Sequence, residues 1–157
     1  VPSDKKVESG EFVLMDFGAT YDGWHSDMTR TVCVGKPSDK MKSVYETVLT
    51  AQLSALDAVK AGMSGKALDK IARDIITEAG YGDNFGHSLG HGVGVEIHES
   101  PYASPSREDI LPENSIVTVE PGIYLEGKFG VRIEDFVVVT ENGCINMTKA
   151  PKELICL

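Results

Sequence analysis

Apolar residues recur along the chain at two spacings, and each spacing predicts a different element. The run Phe12-Val13-Leu14-Met15-Asp16-Phe17, ended by Gly18, reads as a buried strand, and Thr31-Val32-Cys33-Val34, ended by Gly35, as another. Pro37-Ser38-Asp39 then offers a helix start. Met41, Val44, Tyr45, Val48, Leu49, Leu56 and Val59 follow at three- and four-residue intervals, which predicts a long amphipathic helix to about Ala61, closed by Gly62. Ser64 caps a second helix carrying Leu68, Ile71, Ala72, Ile75 and Ile76, with Gly80 where a C-terminal glycine belongs. After a glycine- and histidine-rich stretch and a proline-punctuated loop, residues 116–120 read as a strand ended by Pro121-Gly122. Residues 130–139 read as one longer strand, and Asn142-Gly143 predicts a hairpin into Cys144-Ile145-Asn146-Met147. Strands, two helices and strands again predict a single α+β domain over residues 1–157, with the helices packed on one face of a mainly antiparallel sheet.

Composition narrows the functional classes. Of 157 residues 41% are hydrophobic and 25% charged, as in an ordinary globular domain. The net charge of −9 argues against a phosphate-gripping nucleic-acid face and against anionic membrane surfaces. No apolar run approaches the roughly 18 residues of a membrane span. Cys33, Cys144 and Cys156 are odd in number and widely spaced, so neither a disulfide scaffold nor a zinc ribbon fits; reduced thiols in a cytoplasmic protein do. Opening at Val1-Pro2 without an initiator Met or a signal-peptide core, the sequence reads as a processed chain or a piece of a longer one.

An internal echo then shifts attention to the carboxylates. Asp16 ends an apolar strand and is followed by Gly18, Tyr21 and, eleven residues on, Asp27 beside Arg30. Glu120 also ends an apolar strand and is followed by Gly122, Tyr124 and, fourteen residues on, Glu134 beside Arg132. Each half looks like a hairpin presenting two acids from neighbouring strands. Acids in buried strands are either paired, here with Arg30 and Arg132, or bound to metal. Two Asp, two Glu and one neutral His carry a formal −4, which two divalent cations balance; oxygen donors with one imidazole suit Mn2+, Co2+ or Zn2+. His87, His91 and His98 recur among glycines that let backbone and substrate approach closely. His91 is the candidate metal ligand and His87 and His98 the candidate substrate-facing histidines, with His25 at the surface and Glu96 and Glu99 solvated or outside the ligand set.

Asp16, Asp27 in Ser26-Asp27-Met28-Thr29-Arg30-Thr31, His91 in His87-x-x-x-His91-Gly92-x-Gly94, Glu120 in Val119-Glu120-Pro121-Gly122 and Glu134 in Arg132-Ile133-Glu134-Asp135 together resemble the pita-bread metallopeptidases: proline dipeptidases, Xaa-Pro aminopeptidases and methionine aminopeptidases. The likeness runs from about Gly10 to Val139, and Arg132-Ile133-Glu134-Asp135 resembles the proline-specific branch. It implies the creatinase/aminopeptidase fold, two divalent ions (Mn2+ foremost, Co2+ or Zn2+ otherwise) on Asp16, Asp27, His91, Glu120 and Glu134, and hydrolysis of Xaa-Pro bonds in short proline-containing peptides by a homodimer. Glu120 is implied as proton shuttle, His98 as oxyanion or carbonyl partner, His87 as the contact for the proline end, and Arg132 as the residue orienting Glu134. Members carry further helices, a hairpin and another histidine before the position of Val1, so the chain resembles the C-terminal part of such a catalytic domain. As that part alone, it is expected to fold and to turn over poorly. The rival expectation is a non-catalytic peptide- or protein-binding module on the same fold, which would have lost ligands that this chain keeps.

Overall fold

The computed structural model describes residues 4–157. In chain order the elements are β1 (Glu11–Phe17), β2 (Thr20–Tyr21), β3 (Trp24–His25), β4 (Met28–Val34), α1 (Asp39–Ala58), α2 (Gly65–Glu78), β5 (Gly90–Gly92), β6 (Glu99–Ala103), β7 (Ile116–Val119), β8 (Gly122–Leu125), β9 (Phe129–Arg132), β10 (Asp135–Thr140) and β11 (Gly143–Asn146). Both helices start where serine side chains can take an orphan amide. Ser38 Oγ accepts from the Met41 N–H at 3.2 Å and Ser64 Oγ from the Ala67 N–H at 3.1 Å. After α2, Gly80 adopts φ +85°, the left-handed turn that its lack of a Cβ permits.

A five-stranded antiparallel sheet runs in the order β11-β10-β7-β5-β6. One face is covered by the helices: Val44, Val48, Ala51, Ala55, Leu68, Ala72 and Ile76 pack with Val117, Val119, Val137 and Val139 in a single core. Along β10 burial alternates residue by residue, as expected for a sheet covered on one face. The internal echo is visible in space. β1 and β4 pair around a small β2–β3 ribbon, and β7 and β10 pair around a β8–β9 ribbon. The Glu134 amide donates to the Thr29 carbonyl at 3.1 Å and so joins the two halves.

Four expectations need correction. β1 is not a buried strand: Met15 is 37% and Phe17 54% exposed, because among the described residues β1 pairs with β4 in a sheet of two strands instead of lying inside the large sheet. The predicted strand 130–139 is broken at Ile133 and Glu134, where the chain leaves the β8–β9 ribbon for the large sheet. Helix α1 ends at Ala58 instead of about Ala61, since the Ala61 and Gly62 amides donate to Thr140 and Leu111 carbonyls, both at 2.9 Å. The β10–β11 hairpin turns on Glu141 and Asn142, one residue earlier than an Asn-Gly turn, because Thr140 pairs with Gly143.

Gly90 fixes the approach of β5 to β7. A Cβ there would lie 1.9 Å from the Thr118 carbonyl oxygen. Gly90→Ala is therefore expected to cost about 3 kcal/mol, the upper end of ordinary overpacking, because the obstacle is backbone. Urea unfolding of the two proteins checks this, and a loss below about 0.5 kcal/mol, the range of a neutral surface change, contradicts it.

Candidate metal centre and active-site cleft

The acids reach one place because each sits where a strand meets a ribbon. Asp16 lies near the end of β1, opposite Thr29, and Asp27 immediately precedes β4. Glu120 immediately follows β7 and Glu134 immediately precedes β10. His91 is the middle residue of β5, the strand next to β7. These five line a cleft of about 510 Å3 together with His87, His98, Tyr102 and Arg132.

Donor atoms of Asp27, His91 and Glu134 lie within 4.8 Å of one another. His91 Nε2 is 3.2 Å from Glu120 Oε1 and 3.7 Å from Asp27 Oδ2. The Gly92 carbonyl lies 3.0 Å from His91 Nδ1, which places the proton on Nδ1 and turns the Nε2 lone pair toward the acids when the ring is neutral. Asp16 stands apart from this tight group. Its carboxylate is 53% exposed and accepts from the Arg132 guanidinium. The sequence offset pairing Arg132 with Glu134 is corrected accordingly: Arg132 reaches Glu134 only through Thr29. Its Nε–H donates to Thr29 Oγ1 at 3.0 Å, and that hydroxyl donates to Glu134 Oε2 at 2.5 Å.

The electrostatics of the cleft are those of crowded, buried acids. Burial, and then the Glu120 charge, push the Glu134 carboxyl up to about 8 despite the Thr29 hydroxyl. Burial likewise raises Asp27, with the Asp16 and Glu120 charges adding to it against His91. For His91 burial works downward, but the Glu120 hydrogen bond, the Gly92 carbonyl and the Glu120 and Asp27 charges outweigh it, so its basicity rises. Crowded carboxylates whose burial disfavours their charge, around an imidazole nitrogen aimed at them, are a donor set for divalent cations.

Arg30 is the other arginine of the echo, and it serves neither Asp16 nor Asp27. It forms a buried ion pair with Asp135 at 2.7 Å and donates to the Glu134 carbonyl at 2.6 Å and the Thr29 carbonyl at 2.9 Å. It also donates to the Pro151 and Ala150 carbonyls, at 2.8 and 2.9 Å. The backbone behind Glu134 is thereby clamped to the C-terminal segment.

His98 is exposed in the cleft, its ring centroid 4.3 Å from that of His91. His87 lies with Nδ1 2.8 Å from the Ser88 carbonyl and Nε2 2.9 Å from the Tyr124 hydroxyl. His25, expected at the surface, is half-buried: its amide donates to the Gly94 carbonyl at 2.9 Å, which ties the β2–β3 ribbon to the histidine-rich loop. Glu96 is exposed, and its amide donates to Glu99 Oε2 at 3.0 Å, so neither acid joins the ligand group. Two threonines at the site escaped the sequence reading, and Tyr124 entered it only as part of the echo. Thr118 accepts from the His91 amide at 3.0 Å and donates to Glu120 Oε1 at 2.9 Å. Thr29 orients Glu134, and Tyr124 joins His87 to Arg132 Nη1, the latter at 3.2 Å. Their signal was present: Thr118 and Thr29 stand two positions from Glu120 and Asp27, the spacing that keeps strand neighbours on one face.

Known proteins match along almost the whole chain. The Xaa-Pro dipeptidase of Pyrococcus furiosus is 54% identical over 155 residues, which are 99% of this chain and 44% of that protein. The uncharacterized peptidase YqhT of Bacillus subtilis is 54% identical over 157 residues, 100% of this chain and 44% of its own length. The crystal structure of an X-Pro aminopeptidase from Thermotoga maritima MSB8 superposes with a TM-score of 0.95 at 54% identity, over 99% of this chain and 44% of that one. The chain thus spans under half the length of these relatives. The T. maritima structure bears out the α+β pita-bread expectation, and the resemblance read from the ligand motifs holds. The metallopeptidase family M24 matches residues 1–141, and the chain belongs to that family.

Proposed function

We propose that this chain carries the metal centre and catalytic face of a peptidase that hydrolyses the bond before proline, in dipeptides or at peptide N-termini. The observation that carries the reading is the meeting of Asp27, His91, Glu120 and Glu134 in one cleft that also holds His87, His98 and Arg132. It is supported by relatives named Xaa-Pro dipeptidase and X-Pro aminopeptidase. Asp16, Asp27, His91, Glu120 and Glu134 would hold two divalent ions, Mn2+ first, with Co2+ and Zn2+ as alternatives. Bound there, such ions supply Lewis acidity and make water a nucleophile near neutral pH. To join the set Asp16 would give up its Arg132 partner, leaving Nη2 of the guanidinium, with Nε still on Thr29 and Nη1 on Tyr124, to face the substrate's carboxylate end.

Glu120 takes the proton of the attacking water on its carboxylate and passes it to the departing proline nitrogen. Thr118 donates to Oε1 of that carboxylate at 2.9 Å and Arg132 Nε stands 3.8 Å from Oε2, so both neighbours orient the group that moves the proton. His98 donates to the oxygen that becomes negative as the carbonyl is attacked. His87 contacts the proline end, its ring fixed by the Ser88 carbonyl and the Tyr124 hydroxyl. His98→Ala is expected to keep the metals and lower turnover by roughly 10²–10³, the scale of one lost oxyanion donor. Metal loss instead would show that His98 belongs to the ligand set.

Exposed Phe17, Tyr21 and Trp24 on β1, β2 and β3 support association with a second copy, so a homodimer is proposed and sedimentation velocity tests it. No helix among the described residues is long and apolar enough to cross a membrane. The functional test is proline release from Xaa-Pro dipeptides with Mn2+ or Co2+, run on the chain and on a fusion supplying the N-terminal part of the P. furiosus relative. Metal-dependent release by the fusion, lost in Asp27→Asn, supports the reading. A folded, metal-loaded fusion that releases no proline overturns it and favours the peptide-binding alternative.

A further inference from the structure

We propose that Cys33 and Cys156 form a reversible disulfide that staples the C-terminal strand of the chain to β4. The proposal stands apart from the metallopeptidase reading, because neither thiol lines the cleft. The last residues add a short parallel strand to β4: the Cys33 amide donates to the Ile155 carbonyl at 2.9 Å, the Leu157 amide to the Cys33 carbonyl at 2.9 Å, and the Gly35 amide to the Leu157 carbonyl at 2.8 Å. Cys33 and Cys156 are the facing pair in this ladder. Facing residues of paired strands put their side chains on one side, with the strands about 4.8 Å apart. That spacing falls inside the range of roughly 4.4–6.8 Å that a disulfide spans between Cα atoms.

The two thiols differ in access. Cys33 is fully buried and Cys156 is exposed. Burial and the neighbouring Cys156 thiol also hold Cys33 above the ordinary thiol range, so Cys156 is where exchange begins. Cys144 is no competitor, since it sits on β11 with its Sγ–H directed to the Leu56 carbonyl at 3.5 Å. The segment just upstream is fixed: the Tyr45 hydroxyl donates to the Lys152 carbonyl at 2.8 Å and Arg30 Nε–H to the Pro151 carbonyl at 2.8 Å. Beyond it Ile155 and Leu157 are exposed, so the last residues hold on mainly through their three backbone bonds. A cross-link there turns a weakly held strand into a fixed one.

The oxidant is a low-molecular-weight disulfide of the glutathione type. The Cys156 thiolate attacks one of its sulfurs, the oxidant's S–S bond breaks, and one glutathione leaves as thiolate. The Cys33 thiolate then attacks Cys156 Sγ, forming the protein disulfide and releasing the second glutathione. Two electrons pass from the cysteines to the oxidant, whose two thiolates take up the two cysteine protons.

The test is incubation of the chain with oxidised glutathione, followed by thiol titration, peptide mapping without reductant and thermal melting. Titratable thiols are expected to fall from three to one, with a Cys33–Cys156 cross-linked peptide. The melting temperature is expected to rise by roughly 5–15 °C, as for closing a long loop in a domain of this size. Dithiothreitol should reverse the change, Cys156→Ser should abolish it, and Cys144→Ser should leave it intact. A stable glutathione adduct on Cys156 with Cys33 still free, a link through Cys144, or three unreacted thiols would each overturn the proposal.

Discussion

Asp27→Asn is expected to leave the chain folded and to abolish tight binding of divalent ions, with peptidase activity falling to background. The substitution keeps the shape of the side chain. It removes one of the negative charges that face His91 Nε2, where Asp27 Oδ2 stands at 3.7 Å, and puts an N–H2 donor where a cation needs lone pairs. Donor atoms of Asp27, His91 and Glu134 lie within 4.8 Å of one another, so the loss falls inside the ligand group. The metal-free protein should not suffer. Burial already holds the Asp27 carboxyl toward its neutral form, and a neutral amide relieves the repulsion from Asp16 and Glu120. The pattern to look for is an unchanged or slightly raised melting temperature in EDTA, together with loss of the rise that Mn2+ gives the parent chain. Elemental analysis of the variant is the direct check. Two ions retained per chain would remove Asp27 from the ligand set and with it the offset logic of the echo.

Much of this site is legible in the amino-acid order alone, because its placement follows from local rules. A strand that ends in an acid, a ribbon, and a second strand that begins with an acid place two carboxylates at the same end of a hairpin, one at the close of the first strand and one at the start of the second. Asp27 and Glu134 obey that rule from opposite halves. What the rule lacks is how the halves meet. The Thr29–Glu134 bridge breaks the strand read over 130–139 at Ile133 and Glu134; the charged Arg132, Glu134 and Asp135 stand at the break, but the buried Val131, Ile133, Val137 and Val139 on either side read as one continuous strand. The partners of the arginines were illegible for the same reason. Sequence proximity set Arg30 beside Asp27 and Arg132 beside Glu134, whereas the fold gives Arg30 to Asp135 and Arg132 to Asp16. The exposure of β1 was unreadable because an apolar run has the same composition whether its second face is covered or open. The helix caps, by contrast, involve contacts three residues apart and were read at the correct serines, Ser38 and Ser64.

Without metal, the chain is expected to lose stability as the pH rises from about 6 to 8.5, and added Mn2+ should reverse that loss. The sign follows from the direction in which each group is moved. Glu134 is pushed up to about 8 from an ordinary 4.5, by burial first and the Glu120 charge second, and Asp27 is raised mainly by burial. Carboxyls with raised values hold protons in the folded state that the unfolded chain has already released, so folding weakens as pH climbs through that window. His91 acts in the same direction. Its basicity is raised in the fold above the ordinary 6.5, so the stability it contributes is full below that value and is lost as pH rises through its folded value. Asp135 opposes nothing in this range. Lys152, Arg30 and Asn146 outweigh its burial and lower it, so its contribution is complete above the ordinary carboxylate range and is lost only in acid. A tenfold difference in proton affinity between the folded and unfolded chain corresponds to about 1.4 kcal/mol, and because the acids titrate together the total should be about 2–4 kcal/mol. Ligands must be deprotonated to take a cation, so metal competes with these same protons and its stabilising effect grows with pH. Thermal melts across pH 5.5–9 in EDTA and in Mn2+ give both curves, and calorimetric titration in two buffers of different ionisation enthalpy counts the protons released. A flat EDTA curve between pH 6 and 8.5 would refute the crowded-carboxylate account. So would a metal-induced rise that shrinks as the solution becomes more alkaline, because protons would then not be what the cation displaces.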